Sequence, residues 1–205
     1  MVDYRGFGES SLNCGKITPD GIVSDAEAMY DYLVTEKGCS PDDISLFGHS
    51  LGGAVAIQLA NKKPVNTLVI QSSFTKLNDV FGDFMSAVVP ETWMEKTGKL
   101  ISYLTQKNEF DSIEAIKTVQ AKNVVISHGT KDKVISSEHA KKLHEAKPGS
   151  KLVLMEGAGH SDYREFLQPE HIALLNKFFV GDEEPVERQA VIVESPVPLV
   201  QYGVA

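Results

Sequence analysis

The sequence predicts an α/β fold in which a mostly parallel sheet is flanked by helices. Short apolar runs rich in valine and isoleucine alternate along the chain with longer segments whose apolar residues recur at helical spacing. The runs at residues 65–72 and 123–129 have nearly continuous apolar centres, as strands buried on both faces do. With 205 residues, the chain suits one domain with a substantial core.

The first helix is predicted from the residues at its two ends. Residues 2–10 indicate the end of a strand that runs into a glycine-rich loop. Thr18 then supplies an N-cap, Pro19 suits the first helical position, and Gly38 is a stop signal after a series of apolar residues at helical spacing. This pattern predicts an amphipathic helix packed on the sheet.

The later elements continue the alternation of strand and helix. A strand at residues 44–49 leads into a helix that is predicted to run to about Lys63, because Pro64 cannot continue it. Further elements are predicted in this order: strands at residues 65–72 and 123–129, a helix capped near Ser136 or Ser137, a strand at residues 151–155 and a last helix from Pro169.

The domain boundaries are predicted from two changes in composition. Between about residues 75 and 118 the alternation loosens into short apolar and aromatic pieces, which are either helices that close the core or a small helical cap over an apolar pocket. After Gly181 the chain becomes acidic and then rich in valine and proline. We therefore expect one domain at residues 1–180, followed by a poorly ordered or strand-pairing tail at residues 181–205.

Composition excludes several classes of partner. The formal net charge of −8 argues against a nucleic acid or an anionic membrane surface. No apolar run approaches the ~18 to 20 residues of a membrane span, and the first residues lack the features of a signal peptide. Cys14 and Cys39 have no metal-binding spacing, so reduced thiols are expected, although one disulfide is also compatible. We expect a cytoplasmic protein without a bound metal or cofactor.

The most informative motif is G-x-S-x-G at residues 48–52, which lies between a predicted strand and a predicted helix. In that context the motif predicts a nucleophile elbow, a tight turn that projects the hydroxyl of Ser50 above the sheet. Gly48 and Gly52 are expected to leave room where a side chain would strike a neighbouring element. The amide of Leu51, at the start of the helix, is placed to donate to a developing oxyanion.

Two further residues complete a catalytic constellation. A serine hydroxyl needs a base within hydrogen-bond reach, and the base needs a carboxylate to orient it. In a parallel sheet such groups follow the carboxyl ends of strands, and Ser50, Asp132 and His160 meet this condition in that order. The order Ser, Asp, His is the one expected for an α/β-hydrolase triad.

Other histidines and one other acid are weaker candidates. His49 is expected to pack or hydrogen-bond beneath the elbow, and His128 is a second candidate for lining the site. Asp162 is close to His160 in sequence and is the second choice for the orienting carboxylate. Three more histidines occur in helical patterns and are expected on the surface: His139, His144 and His171.

Four segments resemble successive landmarks of the α/β-hydrolase superfamily. They are DYRGFGES at residues 3–10, GHSLGG at residues 48–53, HGTKD at residues 128–132 and GAGH at residues 157–160. The likeness covers about residues 2–180 and is greatest to small esterases, thioesterases and peptidase-like hydrolases with a modest cap.

The resemblance implies an α/β-hydrolase fold and a role for each matching residue. Ser50 would be the nucleophile, His160 the general base and then the acid, and Asp132 the orienting carboxylate. The Leu51 amide would be one half of the oxyanion hole. Neither a metal nor a cofactor is implied.

The sequence departs from the family pattern at its front. The family has three strands and a helix before the first landmark, whereas here Met1 falls inside the fourth strand, so an N-terminally truncated form of the fold is expected. In the family the third strand pairs with the elbow strand and leads into a loop that supplies the second oxyanion donor. Loss of one such donor can cost ~2.7 to 4 kcal/mol of transition-state stabilisation. An exposed apolar sheet edge, and self-association through it, are also expected.

Two functional hypotheses of different classes follow. The first is a serine hydrolase that cleaves a small-molecule carboxylic ester or thioester through an acyl-enzyme intermediate. The second is a non-catalytic α/β-hydrolase-like fragment that binds a ligand or a protein partner. Covalent labelling of Ser50 discriminates between them.

Overall fold

The centre of the structure is a parallel sheet of four strands. The computed structural model describes residues 3–6, 10, 17–80 and 110–162. Within these residues the strands are β1 (Ser45–His49), β2 (Val65–Gln71), β3 (Ala121–Gly129) and β4 (Lys151–Met155), and they lie in the sheet in the order in which they occur in the chain. The strands are therefore joined by crossovers, as parallel neighbours require.

The register of the strands brings their carboxyl ends to one edge. His49 is opposite Gln71, Gln71 is opposite Ser127, and Gly129 is opposite Met155. The loops that follow β1, β3 and β4 therefore begin at the same edge of the sheet. This is the edge at which ligands bind in open parallel sheets.

The described helices pack on one face of this sheet. They are α1 (Pro19–Thr35), α2 (Leu51–Lys62), the single turn α3 (Ser112–Ala115) and α4 (Glu138–Ala146), and 3-10 turns span Pro41–Asp43 and Ile116–Thr118. Thr18 caps α1 by accepting a hydrogen bond from the Gly21 amide, as its sequence predicts. Pro64 follows directly after α2 and its C-cap, so the predicted end of that helix is confirmed.

The core is divided by the sheet into two clusters. The larger one joins alternate residues of β2 and β3 to α1, α2 and α4, and it includes the fully buried Ile57, Leu68 and Leu143. On the opposite face Val69 and Val125 form a smaller cluster with Met155, which ends β4, and Ala158 beyond it, and the partly buried Val153 of β4 packs against this cluster. Because neighbouring residues of a strand point to opposite faces, the continuous apolar runs serve both clusters.

The predicted strand at the front is not formed in the described residues. Asp3 and Tyr4 have no regular secondary structure. Arg5 instead attaches this segment to α1, because its guanidinium donates to both carboxylate oxygens of Asp25, with Nη2 2.7 Å from Oδ1. The planar guanidinium lies against Gly21, where an added Cβ would come within 2.7 Å of Nη1.

β1 is one of the two edge strands of the described sheet. Phe47 on this strand is 49% exposed, and a groove of about 460 Å³ runs between α1, β1 and α2. Apolar residues such as Met29, Leu33 and Leu46 line it. Self-association through this region stays a prediction.

Three predicted features lie wholly or largely outside the described residues. These are most of the cap at about residues 75–118, the last helix from Pro169, and the tail at residues 181–205. The described parts of the cap region include α3, whose N-cap Asp111 accepts a hydrogen bond from the Glu114 amide.

Candidate active site

The turn between β1 and α2 has the geometry of a nucleophile elbow. Ser50 links the two elements with φ 53° and ψ −121°, a conformation that is strained for a residue with a side chain. The turn is fixed on both sides, because the Ser50 amide donates to the Gln71 carbonyl at 2.9 Å and the Gly53 amide donates to the Ser50 carbonyl at 3.0 Å. Ser50 occupies the N-cap position, but its side chain makes no capping hydrogen bond. The Ser50 hydroxyl therefore makes no capping hydrogen bond to an α2 amide.

Close packing at the elbow involves Gly48 and Gly53 rather than Gly48 and Gly52. A Cβ at Gly48 would lie 2.3 Å from the Gly52 carbonyl oxygen, and one at Gly53 would lie 2.6 Å from Cβ of Ser73. A Cβ at Gly52 would meet nothing within 4 Å in the described part of the chain. Within the described residues, therefore, Gly52 does not play the clash-avoiding role expected of it: it lines the groove, whereas a side chain at Gly53 would meet Ser73 in the chain that follows β2.

The structure brings Ser50, His160 and Asp132 together in one chain of hydrogen bonds. Nε2 of His160 lies 3.2 Å from Oγ of Ser50, and Nδ1 of His160 lies 2.7 Å from Oδ2 of Asp132. A carboxylate only accepts, so Nδ1 carries the hydrogen and Nε2 presents its lone pair to the serine hydroxyl. This is the arrangement in which imidazole can take a proton from serine.

Asp132 is held as an anion although its side chain has no exposed surface. Burial, the largest influence, acts to raise the pKa of Asp132. Hydrogen bonds from His128, the Ile135 amide, His160 and the Val134 amide outweigh burial, and together they lower the pKa to about 2. The carboxylate is therefore charged throughout the neutral pH range.

Two loops are joined where Asp132 and His160 approach each other. The Lys131 amide donates to the Ala158 carbonyl at 2.9 Å, and the Gly157 amide donates to Oγ1 of Thr130 at 2.9 Å. Gly129 permits this approach, because a Cβ there would lie 2.3 Å from the Ala158 carbonyl oxygen. The backbone of each loop thus fixes the other.

Asp162 has a different local role. Its Oδ2 accepts a hydrogen bond from the Gly159 amide at 2.7 Å and closes the turn that contains His160. It forms no hydrogen bond with the His160 ring in the described structure, which leaves Asp132 as the carboxylate in contact with Nδ1.

Two histidines contact the site in ways that the sequence did not reveal. Nε2 of His49 lies 2.9 Å from the backbone carbonyl of His160, so the predicted hydrogen bond beneath the elbow reaches the loop after β4. Nε2 of His128 lies 3.1 Å from Oδ2 of Asp132. The position of His128 at a strand end was the only signal in the sequence for this contact.

The position of His139 also differs from the one expected. It was expected on the surface, but it is only 4% exposed. Its Nδ1 lies 2.8 Å from Oγ1 of Thr75, and that hydroxyl donates to Asp79. His144, by contrast, is partly exposed and hydrogen-bonds Ser150, and His171 lies outside the described residues.

Leu51 opens α2 next to Ser50. The first amides of a helix have no partner within it, and they point toward the space beyond the helix end. The Leu51 amide is the first of these amides, and its part in binding an oxyanion stays a prediction.

Residues 3–6, 10, 17–80 and 110–162 contain neither a group of metal ligands nor a membrane-spanning helix. Over these residues no three side chains of histidine, cysteine, aspartate or glutamate are grouped as metal ligands. No helix in the same part of the chain combines the length and apolar character needed to cross a membrane.

Comparisons with known proteins agree with this architecture. An uncharacterized protein of Mycobacterium tuberculosis is 32% identical over 162 residues, which cover 79% of this chain and 52% of that protein. Alpha/beta hydrolase domain-containing protein 17C of Xenopus tropicalis is 31% identical over 168 residues, which cover 81% of this chain and 47% of that protein. The chain thus spans about half the length of the curated relatives that it matches.

A solved structure and a family model define the wider group. The crystal structure of a bromoperoxidase from Bacillus anthracis matches with a TM-score of 0.59 and 19% identity, over 88% of this chain and 80% of that one, which shows a common fold. The family model described as serine aminopeptidase, S33, matches residues 1–124. The chain therefore belongs to this hydrolase family, within the α/β-hydrolase superfamily.

Proposed function

We propose that this chain is a serine hydrolase that cleaves carboxylic ester or thioester bonds of small molecules through an acyl-enzyme intermediate. Ser50 is the nucleophile, His160 the general base and acid, and Asp132 the carboxylate that orients the imidazole. The Leu51 amide stabilises the oxyanion. The chemistry needs neither a metal nor a cofactor.

One observation carries the proposal: His160 contacts Ser50 through one ring nitrogen and Asp132 through the other, at 3.2 Å and 2.7 Å. A free serine hydroxyl is a weak nucleophile near neutral pH, and a neighbouring base is the usual remedy. Because Asp132 is buried and charged, it favours the imidazolium that forms when His160 takes the proton.

The reaction then proceeds in two balanced halves. Oγ of Ser50 forms a bond to the acyl carbon while its proton passes to Nε2 of His160, and the carbonyl oxygen takes a negative charge near the Leu51 amide. Collapse of this intermediate breaks the bond to the leaving alcohol or thiol, which takes the proton from Nε2. Water then attacks the acyl-enzyme by the same proton path and releases the acid and free Ser50.

Fluorophosphonate labelling of the purified chain tests the proposal. We expect the probe to modify Ser50, identified by mass spectrometry, and to leave a Ser50→Ala variant unlabelled. Acetyl and long-chain acyl esters, followed by the matching thioesters, then define the substrate. A folded chain whose Ser50 takes no label would overturn the proposal and favour the binding hypothesis.

Ser72→Ala is a matched control. Ser72 also has a positive φ, 49°, and also follows a strand of the sheet. Its buried hydroxyl, however, has no hydrogen-bond partner among the described residues. Labelling that survives in Ser72→Ala and disappears in Ser50→Ala would assign the reactive hydroxyl to Ser50 rather than to the second serine with positive φ.

A further inference from the structure

The His128 ring is completely buried against the carboxylate that contacts His160. Its Nε2 lies 2.9 Å from the carbonyl oxygen of Ile135 and 3.1 Å from Oδ2 of Asp132. Both neighbours are acceptors, so Nε2 carries the hydrogen and is shared between them. Nδ1 is buried without a hydrogen-bond partner among the described residues. The geometry therefore selects the tautomer with hydrogen on Nε2.

One oxygen of Asp132 thus serves two imidazole rings. Oδ2 accepts from Nδ1 of His160 at 2.7 Å and faces Nε2 of His128 at 3.1 Å. Each N–H that points at the oxygen stabilises part of its negative charge. The attraction left for the second ring is correspondingly smaller.

The orientation of the carboxylate does not depend on His128. Oδ1 of Asp132 accepts hydrogen bonds from the Val134 amide at 2.8 Å and from the Ile135 amide at 2.9 Å. These backbone donors hold the carboxylate in place from the opposite side. Loss of the His128 donor therefore alters the charge on Oδ2 more than the position of that oxygen.

We propose that His128, by donating to Asp132, weakens the electrostatic stabilisation that this carboxylate gives to protonated His160. In this way His128 sets the pH range over which Ser50 is activated. The hydrogen-bonding nitrogen of His128 faces Asp132 and the Ile135 carbonyl, so His128 acts as a positioning residue through Asp132. This inference rests on the proposed function, in which His160 is the base.

Other ionisable groups face His160 and stay constant in the comparison that tests this idea. The His49 ring, from β1, lies 5.0 Å from the His160 ring. Asp132 approaches from the loop after β3, and Asp162 is in the loop of His160 itself. Because these groups are common to all the variants, a difference between variants reports on His128.

The experiment measures the rate of Ser50 labelling against pH in the wild type, His128→Gln and His128→Leu. Glutamine can place an amide N–H near the position of Nε2, whereas leucine has no donor. We expect the acid-side midpoint of the profile to move up by about half a unit to one unit in His128→Leu. We expect His128→Gln to restore the wild-type midpoint. A leucine variant with an unmoved midpoint, including one that is slower by an equal factor at every pH, would overturn the inference.

The possible outcomes of the labelling experiment separate this inference from the proposed function. Wild-type chain that takes no label counts against the proposed function itself. Labelled wild type with identical pH profiles in all variants counts against His128 alone. If the leucine variant does not fold, ¹⁵N chemical shifts of the histidine rings in the wild type decide the matter. Hydrogen on Nε2 of His128 supports the shared-oxygen arrangement, and hydrogen on Nδ1 overturns it.

Discussion

His49 donates a hydrogen bond from Nε2 to the backbone carbonyl of His160 over 2.9 Å. The direction follows because a carbonyl oxygen can only accept. The residue before Ser50 therefore fixes the loop that follows β4, although the two residues are 111 positions apart in the chain. The elbow thus positions Ser50. Through His49 it also fixes the backbone of His160, whose ring contacts the Ser50 hydroxyl.

The contact of His49 predicts a pH dependence of stability. Burial is the largest influence on the pKa of His49 and lowers it from the model-peptide value of 6.5, with only partial opposition from the hydrogen bond to His160. The unfolded chain then binds a proton that the folded chain does not. The free energy of unfolding should therefore fall as the pH drops below about 6.5.

His49→Gln tests this dependence by urea denaturation across that pH range. Glutamine can keep the hydrogen bond to the His160 carbonyl but does not titrate. We expect a flatter curve of stability against pH for the variant than for the wild type. Parallel curves would mean that another group causes the slope.

Asp132→Asn should impair both activity and folding. Each carboxylate oxygen faces two N–H groups: His128 and His160 at Oδ2, and the Val134 and Ile135 amides at Oδ1. Asparagine would place its NH2 group, which also donates, against two N–H donors in one of these positions. We expect the labelling rate of Ser50 to fall by on the order of 10³ to 10⁴. The unfolding free energy should fall by about 1 to 3 kcal/mol.

Asp162→Asn is the matched control for that change. Asp162 lies near His160 in sequence, and among the described residues its side chain accepts a hydrogen bond from the Gly159 amide alone. Asparagine can accept that bond through its remaining carbonyl oxygen, so labelling and stability should stay close to those of the wild type. An equal loss of labelling rate and stability in both variants would contradict the assignment of Asp132 as the carboxylate that orients His160.

Ser50→Gly should be more stable than Ser50→Ala. Both variants lack the hydroxyl, but only glycine relieves the strain of φ 53° and ψ −121°. Relief worth ~1 to 3 kcal/mol is partly offset by the greater freedom of glycine in the unfolded chain. We expect a net difference of about 1 kcal/mol in thermal or urea unfolding. Equal stabilities would show that the turn carries no such strain.

Gly48→Ala and Gly52→Ala should behave differently although both alter the elbow motif. A Cβ at Gly48 would overlap the Gly52 carbonyl, whereas one at Gly52 would meet nothing within 4 Å of the described residues. We expect the first change to cost about 1 to 3 kcal/mol or more. The second should be neutral or stabilising by up to about 1 kcal/mol. Unfolding curves of the two purified variants measure this, and a larger loss for Gly52→Ala would contradict the packing described above.

The sequence predicted those parts of the fold that depend on local signals. Thr18 and Pro19 mark the start of α1, and Pro64 marks the end of α2, because capping and the loss of a backbone donor act within a few residues. The candidate catalytic residues could be selected because parallel strands bring their carboxyl ends to one edge. Ser50 and His160 meet there despite their distance in the chain.

Contacts that depend on the path of a loop could not be predicted. His128 meets Asp132 only because the chain turns back at Val134 and Ile135, whose amides bind the carboxylate. His139 was expected on the surface because it lies in a helical pattern, but its ring is buried and hydrogen-bonds Thr75 beyond the end of β2. In both cases a polar partner distant in sequence decides where the side chain lies.

The agreement between chain order and strand order has a consequence for synthesis on the ribosome. β1, β2 and β3 can pair one after another as they emerge, each with the strand made just before it. Ser50 and Asp132 are then already near one edge, but His160 arrives only when the loop after β4 docks beside Gly129. In the proposed mechanism, a nascent chain at this stage has its serine but not its base, and a serine alone is a poor nucleophile. The last strand to join the described sheet would also be the step that makes the growing polypeptide chemically reactive.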